Sequence, residues 1–283
     1  MANESHAPTH HQVTVLGRPV EYTVGGHGEP VLFLHGWGLS HRTYEHALRL
    51  LTHNGLRVLA PSLPGFGTTA RLPRAAENLT GYAHWAAAFL HAVEVPAPAV
   101  VVGHSFGGGI AIQLAHDRPA RVRGLVLVNS IGGSAWTRDG STVRAMKERP
   151  LWDWGLHFSR DLFPLRQLRR VVPVIVSTAL PNLARDPRTF LRTAELARTA
   201  DLTAELEELK RRRLPVVVLW GRDDRIVTEA STDALCEAVE PADRITVPGG
   251  HAWMLADPEG FGEVMTNILP IAARNRTARP ASA

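Results

Sequence analysis

The chain has 283 residues, 45% of them hydrophobic and 20% charged, with a formal net charge of +4. That balance is ordinary for a soluble globular protein with one large core and an insertion, or with two domains, and so small a charge does not by itself identify an anionic partner. No apolar run approaches the roughly 18 residues needed to cross a bilayer, and a single cysteine, Cys236, excludes an intramolecular disulfide.

The N-terminal MANESHAPTHHQ lacks the apolar core of a signal peptide and reads as a polar tail, so a cytoplasmic location is expected. Gln12 to Val24 alternates apolar and polar around Gly17-Arg18, the pattern of a hairpin of edge strands. Val31 to Leu34 is a short buried strand that runs into His35-Gly36-Trp37-Gly38. Ser40 can cap a helix with Tyr44, Ala47, Leu48 and Leu51 on one face. Arg57 to Ala60 is the next strand, followed by Pro64-Gly65-Phe66-Gly67. Thr80 opens a helix with Tyr82, Trp85, Phe89 and Val93 at helical spacing.

Val100 to Val102 then form a strand apolar on both faces, and it meets Gly103-His104-Ser105-Phe106-Gly107. An apolar helical pattern follows at once. Gly-x-Ser-x-Gly between a strand and a helix predicts a strained turn that lifts a serine hydroxyl above the sheet edge. The helix start behind it offers unpaired N–H groups to a developing oxyanion. Leu125 to Val128 is a further buried strand. Strands alternating with helices predict a mostly parallel central sheet with helices on both faces.

The alternation stops between Gly132 and Arg213, where the sequence reads as helical, arginine-rich and aromatic. It resumes with a strand at Val216 to Trp220, a helix from Ala230 to Val239, a strand at Arg244 to Val247 and a helix around Phe261 to Leu269. The expected organisation is a discontinuous core, residues 1–131 and 214–283, with a helical cap inserted at 132–213. Disordered tails are expected at about 1–11 and 272–283. His251 stands just past the strand at Arg244 to Val247, on the sheet edge that carries Ser105. Cys236 reads as packing on an amphipathic helix.

Four separated motifs carry a family resemblance: His35-Gly36-Trp37-Gly38, Pro64-Gly65-Phe66-Gly67, the turn at Ser105, and Gly221-Arg222-Asp223-Asp224 with Gly250-His251. From Gln12 to Ile271 the sequence resembles the α/β-hydrolase fold family, in its serine branch with a helical cap. The resemblance implies a nucleophile–acid–base triad in the order Ser105, Asp224, His251. Its glycine-x-x-aspartate pattern selects Asp224 over Asp223; Asn129 and Ser130, after the preceding strand, cannot supply the acid. It also implies an oxyanion hole made by the backbone N–H groups of Trp37 and Phe106. Ser62 stands where many relatives place an aspartate.

Between residues 132 and 213 the chain has 16 Lys and Arg against 10 Asp and Glu, so an excess of +6 lies in the expected cap. Solvated helix faces are the plain reading, and no aromatic platform for nucleic acid accompanies the charge. Trp152, Trp154 and Phe158 are candidates for an apolar substrate wall, or equally for cap core. No metal-ligand spacing, phosphate loop or dinucleotide fingerprint occurs, so no cofactor and no metal are expected. The expected activity is hydrolysis of a small, apolar carboxylic ester through an acyl-enzyme. Carbon–carbon hydrolase, lactonase, thioesterase and cofactor-free perhydrolase chemistry remain open on the same triad, as does a ligand receptor with slow or no turnover. The oligomeric state is open.

Overall fold

The computed structural model describes residues 7–52, 55–96, 98–138, 142–150 and 165–274. Eight strands form one sheet in the order β1 (Thr9–Val15), β2 (Arg18–Gly25), β4 (Leu56–Pro61), β3 (Glu29–Leu34), β5 (Ala99–His104), β6 (Val122–Val128), β9 (Val216–Gly221) and β10 (Asp243–Val247). β1 and β2 pair antiparallel, as do β2 and β4; from β4 onward every pairing is parallel. The sheet is therefore mostly parallel, as expected.

Burial on both faces follows from side-chain alternation. In β5, Val101 joins one core while Val100 and Val102 join the other. The first core lies under α2 (Leu79–Ala92), α3 (Phe106–Asp117), α6 (Thr203–Arg211) and α7 (Glu229–Val239). The second lies under α1 (Glu45–Thr52) and α9 (Pro258–Ala272), which contribute Leu48, Leu51, Phe261 and Met265. A parallel sheet covered this way brings all its carboxyl ends to one edge. Leu34 pairs with Gly103, His104 with Val128, and Val128 with Leu219, so the loops after β3, β5, β6 and β9 emerge side by side.

Several expectations need correction. β1 starts at Thr9, inside the stretch expected to be a disordered tail, because Thr9 to Gln12 continue the ladder against Glu21 to Val24. α2 starts at Leu79, one residue before the expected opener Thr80, and Asn78 is the cap, its Oδ1 accepting the Gly81 N–H at 2.8 Å. At the other end, Ala272 is fully buried in α9 rather than part of a tail.

The stretch between β6 and β9 is not wholly helical. A two-stranded hairpin, β7 (Ala135–Arg138) with β8 (Thr142–Ala145), precedes the helices α4 (Leu165–Arg185), α5 (Pro187–Thr199) and α6. Trp136 anchors the hairpin, buried and donating from Nε1 to the Ala145 carbonyl at 3.1 Å. Nor are all its cations solvated. Arg149 is buried, lies 5.6 Å from the Trp136 ring and donates to the Ile226 and Arg225 carbonyls. Cys236 packs half-buried against the first core, and burial pushes its thiol up to about 11. Among the described residues no helix is long and apolar enough to cross a membrane.

Candidate active site

Ser105 joins β5 to α3 with φ +53° and ψ −115°, a left-handed conformation that costs a non-glycine residue about 1–3 kcal/mol. The two glycines make the turn possible. A Cβ on Gly103 would lie 2.5 Å from the Gly107 carbonyl oxygen, and one on Gly107 would lie 2.1 Å from that of Leu34. The Ser105 N–H is tied to the Val128 carbonyl at 3.0 Å, which fixes the turn to the neighbouring strand.

The structure brings Ser105, His251 and Asp224 together. Ser105 Oγ lies 2.9 Å from His251 Nε2, and His251 Nδ1 lies 2.8 Å from Asp224 Oδ2. A carboxylate only accepts, so the imidazole carries its proton on Nδ1 and leaves Nε2 to accept from the serine hydroxyl. Asp224 Oδ1 accepts the Ile226 and Val227 N–H groups, each at 2.8 Å. Asp223 is exposed, and its backbone N–H holds the next loop through the Gly249 carbonyl.

One participant was not anticipated as such. Asn129, at φ +44°, donates from Nδ2 to Asp224 Oδ2 at 2.5 Å and accepts from Trp253 Nε1 at 3.0 Å. Its position after β6 was legible in the sequence, but only as a residue that could not be the acid. The asparagine instead links the carboxylate to α8 (Trp253–Ala256), the short helix behind the base.

Phe106 is the first residue of α3, so its N–H falls in the turn whose amides lack intrahelical acceptors. Its ring is buried edge-on against Tyr82. Trp37 lies in the loop after β3, and the close approach of Gly107 to Leu34 and His35 sets that loop beside Ser105. The Trp37 indole is half-buried and fixed in place: Nε1 donates to the Phe190 carbonyl at 2.9 Å, with ring centroids 4.2 Å apart. Asn182 on α4 is buried and bridges two loops at this edge, donating to the Gly38 carbonyl at 2.9 Å and accepting the Gly67 N–H at 3.0 Å. Helices α4 and α5 thus rest on the loop that holds Trp37. Trp152, Trp154 and Phe158 lie outside the described residues.

Two other histidines at this edge are fully engaged. His35 Nδ1 donates to the Gly36 carbonyl at 2.8 Å while Nε2 accepts the Leu63 N–H at 2.9 Å. His104 meets Tyr44 through Nδ1 and the His251 carbonyl through Nε2. Burial pulls both imidazoles down to about 3, which keeps them neutral. Among the described residues no cluster of three or more His, Cys, Asp or Glu could hold a metal ion.

A model of the alpha/beta hydrolase family matches residues 31–264. A putative non-heme haloperoxidase of Mycobacterium phage D29 is 28% identical over 268 residues, covering 92% of this chain and 95% of that protein. A pimeloyl-(acyl-carrier protein) methyl ester esterase of Aromatoleum aromaticum is 29% identical over 262 residues, covering 84% and 97%. Among solved structures, a thermophilic esterase from Thermogutta terrifontis superposes with a TM-score of 0.71 at 21% identity, covering 93% of this chain and 99% of that one. That last likeness speaks for the fold.

Proposed function

The chain belongs to the alpha/beta hydrolase family, and from that premise we propose that it cleaves a carboxylic ester, or a related acyl substrate, through an acyl-enzyme on Ser105. The observation that carries this reading is the continuous hydrogen-bonded line from Ser105 Oγ through His251 to Asp224, at 2.9 and 2.8 Å. The similarity to a methyl ester esterase supports an ester over other acyl substrates.

The steps follow from the geometry. His251 Nε2 takes the hydroxyl proton as Ser105 Oγ attacks the ester carbonyl. The negative charge that develops on the carbonyl oxygen is met by the N–H groups of Phe106 and Trp37, each such donor contributing about 3 kcal/mol in the transition state. His251 then gives its proton to the leaving alcohol, and the carbon–oxygen ester bond breaks. In the second half His251 deprotonates a water, which attacks the acyl carbonyl; the acyl–Oγ bond then breaks, the imidazolium returns its proton to Ser105 Oγ, and the acid is released. Asp224 stabilises the imidazolium in both halves, and its four acceptor contacts keep it aimed. Helices α4 and α5 serve as a cap over this centre, held down through Asn182 and Phe190.

The similarity to a putative haloperoxidase supports a second use of the same acyl-enzyme. Hydrogen peroxide in place of water would attack the acyl carbonyl and release a peracid. Steady-state hydrolysis of p-nitrophenyl esters from acetate to octanoate, with and without peroxide, tests both. Turnover that requires Ser105 is expected. A folded protein inert toward the whole series would overturn the ester reading, and peroxide leaving the products unchanged would overturn the second.

A further inference from the structure

We propose that Tyr44 and His104 are positioning residues that lock the loop of the base onto the loop of the oxyanion hole, an inference that rests on reading Ser105 as the nucleophile. The Gly36 N–H donates to the Tyr44 hydroxyl at 3.1 Å. That hydroxyl lies 2.7 Å from His104 Nδ1, and His104 Nε2 lies 3.0 Å from the carbonyl oxygen of His251. A carbonyl only accepts, so Nε2 carries the ring proton, Nδ1 accepts, and Tyr44 must donate. Every proton in the line has one place to go. The line runs from the residue before Trp37, through the residue before Ser105, to the backbone of the base.

The packing around the line is equally close. A Cβ on Gly36 would stand 2.8 Å from His104 Nδ1 and 3.1 Å from the Tyr44 oxygen. The His104 ring lies 5.0 Å from that of His251, and Tyr44 is wedged against Phe33 at 4.9 Å. On its other side the Gly36 peptide is held by His35, so both of its polar groups have fixed partners. Burial keeps His104 neutral and pushes the Tyr44 hydroxyl up, the protonation states this line requires. Neither side chain bonds to Ser105 Oγ. Their effect is on where Trp37 N–H and His251 Nε2 stand when charge develops, so their loss should appear in kcat and not in KM.

Tyr44→Phe removes the linking hydroxyl and keeps the ring. His104→Gln leaves one amide that cannot reach both of the partners set across the imidazole. Each is assayed with p-nitrophenyl butyrate, per active site titrated with a p-nitrophenyl phosphonate, alongside its melting temperature and the Ki of an alkyl boronic acid. Each variant is expected to lose roughly 10–100-fold in kcat per titrated site with KM within about 3-fold, the boronate Ki rising in step. The double variant should be no slower than the slower single, since both cut one line. A purely structural role would lower the melting temperature and the fraction titrated while kcat per site stayed within about twofold of wild type. That result, in whichever variant folds, overturns the proposal, as does full multiplicative loss in the double variant. Wild-type protein that neither turns over nor takes the phosphonate overturns the functional reading itself, and the line's role with it, before any variant is made.

Discussion

Asp223 and Asp224 differ by one position and by everything their carboxylates meet. Asp224 has a buried side chain bonded to His251, Asn129 and two backbone amides, whereas Asp223 faces solvent. Asp224→Asn would place an amide N–H against a donor and favour the wrong imidazole tautomer. A fall in kcat of about 10⁴-fold is expected, against less than about tenfold for Asp223→Asn, both read by ester hydrolysis at pH 7.5. Equal losses would contradict the geometry described. At this scale the sequence was informative where chemistry demands a residue type at a fixed strand end, as for Ser105, Asp224 and His251. It was uninformative where a role depends on side-chain direction. Asn129 as a donor to the acid, and Tyr44 as a link between loops, are set by tertiary contacts between residues 95 and 60 positions apart.

The helical elements above the sheet edge depend on a few polar contacts with the loops below. Asn182 is the most economical of these, since one amide satisfies Gly38 and Gly67 together. Asn182→Ala would leave a buried carbonyl and a half-buried N–H without this amide, costing about 1–3 kcal/mol in urea unfolding at neutral pH. A second consequence is expected in activity, because the Gly38 carbonyl sits one residue past Trp37: kcat/KM should fall at a temperature where the variant is folded. Unchanged urea midpoints would show that α4 does not depend on this contact. The core strands and most of the helices could be read from hydrophobic periodicity, which is strong in runs such as Val100 to Val102. The β7–β8 hairpin could not. Its strands have four residues each, too few for alternation to stand out, and what stabilises it is the burial of Trp136 against Arg149 from farther along the chain.

For the molecule as a whole, the buried histidines make stability depend on acidity. His35 and His104 titrate near 3 and His41, bonded to Ser62 at 2.6 Å, near 4, each held down first by burial. In the unfolded chain they titrate near the ordinary 6.5 of histidine. Between about pH 6.5 and pH 4 the unfolded chain therefore binds protons that the folded chain refuses, and unfolding is favoured as pH falls. His35 and His104 should each contribute a slope of about 1.4 kcal/mol per pH unit in that window and none above it. Urea midpoints should be level from pH 7.5 to 6.5 and then decline steadily toward pH 4.5. A level midpoint from pH 6.5 to 5 would mean that these imidazoles are not held neutral.

The proposal that most depends on the whole fold is that one serine, raised above the sheet edge in a strained turn, forms the covalent intermediate. Mass spectrometry of the intact protein after brief exposure to an alkyl p-nitrophenyl phosphonate, followed by peptide mapping, measures this directly. A single adduct per chain is expected, on the peptide containing Ser105 and absent from Ser105→Ala. An adduct on another residue, or equal labelling of the folded Ser105→Ala protein, would contradict it.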